Sequence, residues 1–154
     1  MVPYRPQGPP LPTTAVFVYG TLLADDCGTN VFGLPVRVAG SSPAWVAGVL
    51  YEGRYPYLVL PGPDDGDAKV HGKLFRLVEA DLPVYDRIER VPELYQRVMV
   101  GVGLQGRDVT STTAWAYVRP QREGQDPRCG SGQWQRWRDR GLFPPCGQPA
   151  AAQP

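Results

Sequence analysis

The stretch VFVYGTL, residues 16–22, decides how this chain folds. An apolar run of β-branched and aromatic residues, bounded by turn signals, predicts a compact central strand over 15–19. It runs straight into Gly20-Thr21, with Tyr19 at the junction. Glycine lets the backbone turn sharply there or approach another group closely. Two readings of the junction stand: an ordinary turn, or a cradle in which successive N–H groups of Gly20, Thr21 and Leu22 face an anion.

Working outward, the chain reads as short strands separated by turn signals. WVAGVLYE (45–52), YLVL (57–60), VHGKLFRLV (70–78), RVMVGVGL (97–104) and TAWAYV (113–118) follow the first strand, and PGPDDGD marks a turn after the third. In the fifth, Val98, Val100, Val102 and Leu104 share one face. Six strands with so little helix between them predict a mixed sheet curled toward a barrel.

One helix interrupts the strands. DLPVYDRIERV (81–91) offers Asp81 as N-cap, Pro83 at an early position where a missing N–H costs nothing, a core stripe of Leu82, Tyr85 and Ile88, and Pro92 as a stop. Asp86 and Glu89 sit three residues apart on a neighbouring face. A second, shorter helix is predicted over SGQWQRWRDRG (131–141), opened by Ser131, ended by Gly141 and carrying Trp134 and Trp137 on one side.

Composition bounds the function. The 154 residues suit one domain able to bury a core without staples. A formal net charge of +1 leaves no field to attract nucleic acid or an anionic membrane. No apolar run has the length of a spanning helix, and MVPYRPQGPP lacks the apolar centre of a signal peptide, so a cytoplasmic location is expected. The chain divides into a proline-rich arm (1–14), one domain (15–144) and a tail (145–154), both ends reading as flexible.

Three cysteines, Cys27, Cys129 and Cys146, fit neither a disulfide framework nor a zinc site; a Cys129–Cys146 bridge stays open as the alternative, and reduced thiols are expected. The single histidine, His71, reads as an exposed strand residue. Glu89 lies among Asp86, Arg87 and Arg90, a pattern that reads on its own as a solvated, salt-bridged helix face.

Taken together, these pieces resemble the gamma-glutamylcyclotransferase superfamily, and within it the gamma-glutamylaminecyclotransferase and AIG2-like members. VFVYGTL (16–22) looks like the family's opening strand and loop, YPYLVL (55–60) like its Y-P segment, and VHGKLFRL (70–77) like its V-x-G strand. YDRIERVPELYQRVMVGV (85–102) is similar to the D-x-x-E block that carries the family's acid/base glutamate. AWAYV (114–118) matches the closing strand, and GSGQW (130–134) is similar to a C-terminal segment of bacterial members.

The resemblance implies an α+β fold: a mixed, mostly antiparallel β-barrel flanked by a few short helices, with a cavity at its mouth. It implies a reaction in which the α-amine of a γ-glutamyl group attacks its own side-chain amide, forming 5-oxoproline and releasing an amine or amino acid. No cofactor or metal is called for, since the nucleophile is already tethered at five-ring distance. Glu89 takes the role of catalytic acid/base, Gly20, Thr21 and Leu22 hold the substrate, and Tyr19 and Tyr95 line the cavity. The partner is a small γ-glutamyl molecule, with no nucleic acid or membrane; the oligomeric state stays open. The other reading is a binding module of the same fold that holds an amino-acid-like ligand without turnover.

Two departures stand out. Arg90 occupies the place where the family often has glycine, and it either pairs with Asp86 or approaches the pocket. Segment 23–44, which contains Cys27, matches nothing specific.

Overall fold

The computed structural model describes residues 10–23 and 36–133. Seven strands run in chain order as β1 (Thr13–Val18), β2 (Val38–Ala47), β3 (Val49–Glu52), β4 (Pro56–Val59), β5 (Lys69–Val78), β6 (Gln96–Leu104) and β7 (Thr112–Val118). A 3-10 turn, Glu79–Asp81, leads into one α-helix, α1 (Leu82–Ile88). Among the described residues no helix is long and apolar enough to cross a membrane.

The strands close on themselves. Hydrogen bonding runs β1-β5-β2-β6-β7, and β7 returns to β1 through a parallel pairing at Val16↔Trp115. Five strands therefore form a closed barrel, and closure removes the exposed edges that an open sheet would present. The β3–β4 hairpin is attached outside this ring, with β4 parallel to β7 at Leu58↔Val118. The remaining barrel pairings are antiparallel. This is the mixed, mostly antiparallel α+β barrel that the sequence resemblance implies.

Alternation along β1 explains its unbroken apolar character. Phe17 and Tyr19 join one buried cluster, which draws on Ala44, Val46, Val70, Val100, Val102, Ala114 and Ala116 from the other barrel strands. Val16 and Val18 join a second cluster with Phe75, Leu77, Leu82 and Tyr85, between the barrel and α1. With both faces buried, a two-residue period places an apolar side chain at every position. Gly72 is required at the crossing of β5 and β1, because a Cβ there would overlap the Val18 carbonyl oxygen and press on Tyr19 Cα.

Several sequence expectations change here. The strand expected over 45–52 is two strands, broken at Gly48, where a side chain would collide with Leu58 and the Val59 carbonyl of β4. β2 starts at Val38, inside the unmatched segment; its exposed residues 39–43 carry no apolar alternation, and Pro43 argued against a strand. Val98, Val100 and Val102 do face the barrel, whereas Leu104 at the strand end is exposed. His71 is half-buried rather than exposed, with its N–H bonded to the Gly132 carbonyl at 2.7 Å.

The helix is shorter than 81–91. Leu82 and Tyr85 are buried and Ile88 packs beside them, but the helix ends at Ile88, not at Pro92. Asp81 makes no capping bond; its carboxylate pairs with Arg37, whose Nε lies 2.9 Å from Oδ2. Ser131 does not open a helix either: it heads a turn, its hydroxyl accepting from the Gln133 N–H at 3.2 Å, and Gln133 bridges to His71. Trp134, Trp137, Cys27 and Cys146 lie outside the described residues, as do most of both predicted arms. Cys129 is a free, half-buried thiol.

Candidate active site

The site begins where β1 ends. Residues 20–23 make a tight turn closed by the Leu23 N–H on the Gly20 carbonyl at 2.9 Å. Leu22 anchors this turn in the second buried cluster, and Thr21 is drawn inward with it. Tyr19 has a different task from its neighbours. Its hydroxyl donates to the Tyr117 carbonyl at 2.7 Å and accepts from the Leu58 N–H at 3.0 Å. β7 leaves β1 after Trp115 and takes up β4 at Val118, so this hydroxyl stands in the fork between the two parallel neighbours. It replaces the missing ladder bond, and its proton is committed there while its ring lines the cavity. Burial pushes its pKa well up, which keeps the hydroxyl protonated as that bond requires.

Opposite the turn, α1 delivers Glu89. The residue sits at the helix C-terminus with φ −82° and ψ 0°, and Arg90 then takes φ 51°. This reversal sends Arg87 and Arg90 outward and Glu89 inward. Glu89 is only 7% exposed, so the solvated-face reading of the DRIER sequence does not hold. Among the described residues, Thr21 and Glu89 are the two polar or charged residues that are buried. They meet: the Thr21 side chain hydrogen-bonds the Glu89 carboxyl. Burial pushes the Glu89 pKa up to about 7, and the Thr21 bond draws it partly back. A carboxyl in that range can both accept and return a proton near neutral pH.

Two spaces meet at this pair. An inner slot of about 10 Å³, room for about one water, is lined by Tyr19, Gly20, Thr21, Leu22, Glu89 and Tyr95 together with Pro56 and Tyr117. An outer cleft of about 540 Å³ shares Thr21, Glu89 and Tyr95 with the slot. A cleft of that size is ordinary for a small-molecule site. Its remaining wall includes Arg54 and Tyr55 from the β3–β4 turn, Arg87 and Arg90 from the end of α1, and Arg119 from the exit of β7. All six residues singled out in the sequence therefore converge on one place.

Asp86 is set apart from Glu89 despite their spacing. Its Oδ1 accepts from Arg97 Nε at 2.9 Å and from the Tyr117 hydroxyl at 2.7 Å. Arg97 in turn lies over the Trp115 ring at 4.3 Å. Asp86 thus clamps α1 to β6 and β7, and Arg90 pairs not with it but with Glu93, at 3.8 Å. The Tyr95 hydroxyl donates to the Pro56 carbonyl at 3.1 Å, holding the start of β4. His71 and Cys129 border a separate depression of about 270 Å³ that shares no lining residue with the cleft.

Sequence reasoning missed Pro56, Tyr117, Arg54 and Arg119. Only Arg119 left a trace, as a lone cation immediately after the closing strand. Its relevance depends on the parallel β1–β7 pairing, which brings the exits of both strands to one end of the barrel.

Comparisons agree with this architecture. The family model described as "Gamma-glutamyl cyclotransferase, AIG2-like" matches residues 16–136. A crystal structure of an AIG2-like protein from Mus musculus is similar, with a TM-score of 0.60, 20% identity, and coverage of 92% of this chain and 97% of that one. A solution structure from Arabidopsis thaliana gives a TM-score of 0.58 at 22% identity, covering 86% of this chain and 83% of the other. An uncharacterized protein from Pyrococcus horikoshii gives 0.54 at 20% identity, covering 82% and 94%. No curated protein matches the sequence. At these identities the solved structures speak for the fold, and the family model speaks for kinship: the chain belongs to the gamma-glutamyl cyclotransferase, AIG2-like family.

Proposed function

We propose that this protein is a γ-glutamyl cyclotransferase, cleaving a γ-glutamyl amide to 5-oxoproline and a free amine or amino acid. The observation that carries the reading is the buried Thr21–Glu89 pair at the meeting of slot and cleft, with a carboxyl pushed up to about 7. Glu89 accepts a proton from the substrate's α-ammonium. The freed amine attacks the γ-carbonyl carbon, forming the ring C–N bond and an oxyanion. As the intermediate collapses, the amide C–N bond breaks and the departing nitrogen takes the proton back from Glu89. The ring nitrogen gives its second proton to the same carboxylate, which hands it to the released amine, leaving a neutral lactam, an ammonium and Glu89 restored. Neither a metal nor a cofactor is needed for this sequence, because proximity of the tethered amine supplies much of the rate. The turn at Gly20, Thr21 and Leu22 is assigned to the substrate's carboxylate or to the oxyanion, which a row of backbone N–H groups suits. Tyr19 and Tyr95 shape the wall, their hydroxyl protons already given to backbone carbonyls.

Incubation with a panel of γ-glutamyl amides and dipeptides, assayed for 5-oxoproline, tests the proposal. Glu89→Gln keeps the shape but cannot relay the proton, and it should lower turnover by about 10²–10⁴-fold. Binding without product would leave a binding module of the same fold, and release of free glutamate would mean that Glu89 activates water instead.

A further inference from the structure

Resting on the cyclotransferase reading, we propose that the outer cleft holds the departing half of the substrate and selects one that carries carboxylates, with Arg119 as the specificity-determining residue. Among the described residues, four arginines from three chain segments, Arg54, Arg87, Arg90 and Arg119, line this cleft, and Glu89 is the one acidic residue that does. Neighbouring acids offset only part of that charge. Arg90 faces Glu93 at 3.8 Å with both side chains largely in solvent, a weak pairing. Among the described residues Arg54 and Arg87 have no ion-pair partner.

Arg119 is the most constrained of the four. Its side chain is 18% exposed, Nη2 lies 3.0 Å from Glu123, and the guanidinium lies 4.6 Å from the Tyr57 ring centre and 5.8 Å from that of Tyr95. Its Nε is buried and has no hydrogen-bond partner among the described residues. An orphaned donor in a desolvated, charged group is costly to keep. A carboxylate arriving from the cleft would satisfy it and gain the charge-assisted, planar geometry that a guanidinium offers. A cationic departing group would instead meet four like charges, a penalty that excludes wrong partners.

The test holds the γ-glutamyl head constant and varies what leaves. We expect kcat/KM for γ-glutamylglutamate, with two carboxylates on the departing half, to exceed that for γ-glutamylethylamide by about tenfold or more, chiefly through KM. γ-Glutamylputrescine, with a cationic departing half, should be the poorest of the three. Arg119→Gln should bring the first two toward equality, and Arg119→Lys should restore part of the preference. Equal or reversed preference in the unsubstituted protein overturns the proposal. So does an Arg119→Gln variant that slows all three substrates by one common factor, which would mark a structural role or a hold on the α-carboxylate they share. If none of the compounds yields 5-oxoproline, the cyclotransferase reading fails separately. Calorimetry of the unsubstituted protein with γ-glutamylglutamate and γ-glutamylethylamide then decides the cleft's selectivity: tighter, salt-sensitive binding of the first supports it, and equal binding or none overturns it.

Discussion

The Thr21 side chain hydrogen-bonds the Glu89 carboxyl and opposes the burial that raises its pKa. The turn after β1 therefore holds the carboxyl and tunes it as well. Thr21→Val keeps the shape of the side chain and removes the bond. The Glu89 pKa should then rise further, and the acid limb of the kcat/KM–pH profile should move to higher pH from a midpoint near 7 in the unsubstituted protein. A limb that stays in place in the variant would show that another group sets it.

Glu89 also links stability to pH. Its carboxyl titrates at 4.5 in an ordinary setting and at about 7 in the folded protein, so the folded state binds the proton more tightly than the unfolded chain. That contribution is complete below 4.5 and is lost as pH rises through about 7, where folding must bury a charge. At about 1.4 kcal/mol per tenfold change in affinity, the loss is about 3 kcal/mol. Urea unfolding of the protein and of Glu89→Gln at pH 4 and pH 8 measures it, since the difference between the two cancels the other titrating groups. The gap should shift toward the variant by about that amount at the higher pH. A gap independent of pH would mean that the carboxyl is solvated after all.

Asp86→Asn separates clamp from chemistry. The amide oxygen still accepts from Arg97 and from the Tyr117 hydroxyl, but the charge that strengthens both bonds is gone. A stability loss of about 1–2 kcal/mol is expected. Turnover should fall far less than in Glu89→Gln. A larger activity loss in Asp86→Asn would move the proton relay to the other carboxylate.

Arg90 occupies a backbone position that suits glycine, the residue the family resemblance implies there. Its φ of 51° is in the left-handed region, where a side chain is strained and glycine is not. The exposed Arg90–Glu93 pair contributes little in return. Arg90→Gly should therefore be neutral or stabilising, by up to about 1 kcal/mol, as thermal or urea unfolding would register. A marked destabilisation would give Arg90 a structural anchor beyond that pair.

The strands and the apolar stripe were legible because burial on both faces of β1 and on one face of α1 writes itself as periodicity: Phe17 against Val16 and Val18, Leu82 against Tyr85. The burial of Glu89 was not legible from periodicity. Continuing the helix through Arg90 places Glu89 on a charged face, and only the early end at Ile88 with the reversal at Arg90 turns it inward. That reversal depends on backbone angles rather than on side-chain pattern, so the ordered family motifs carried the assignment. β2 was obscured for the opposite reason: residues 39–43 are exposed on their way across the barrel, so no face of them needed to be apolar. The arginine wall has no local signature, because Arg54, Arg87 and Arg119 become neighbours only through barrel closure.

The Tyr19 hydroxyl in the fork of β7 has a consequence for how such a protein changes over time. The ring of five strands is complete without the β3–β4 hairpin, and the hairpin is hooked to it from outside, through the pairing at Leu58, the Tyr19 and Tyr95 hydroxyls and bonds to the segment that follows β7. The barrel that holds Thr21 and the helix that holds Glu89 are thus built separately from the wall that carries Arg54 and Tyr55. Residues in that hairpin turn can be exchanged without reopening the barrel, so the Thr21–Glu89 pair can stay fixed while the facing wall is rewritten for a new ligand.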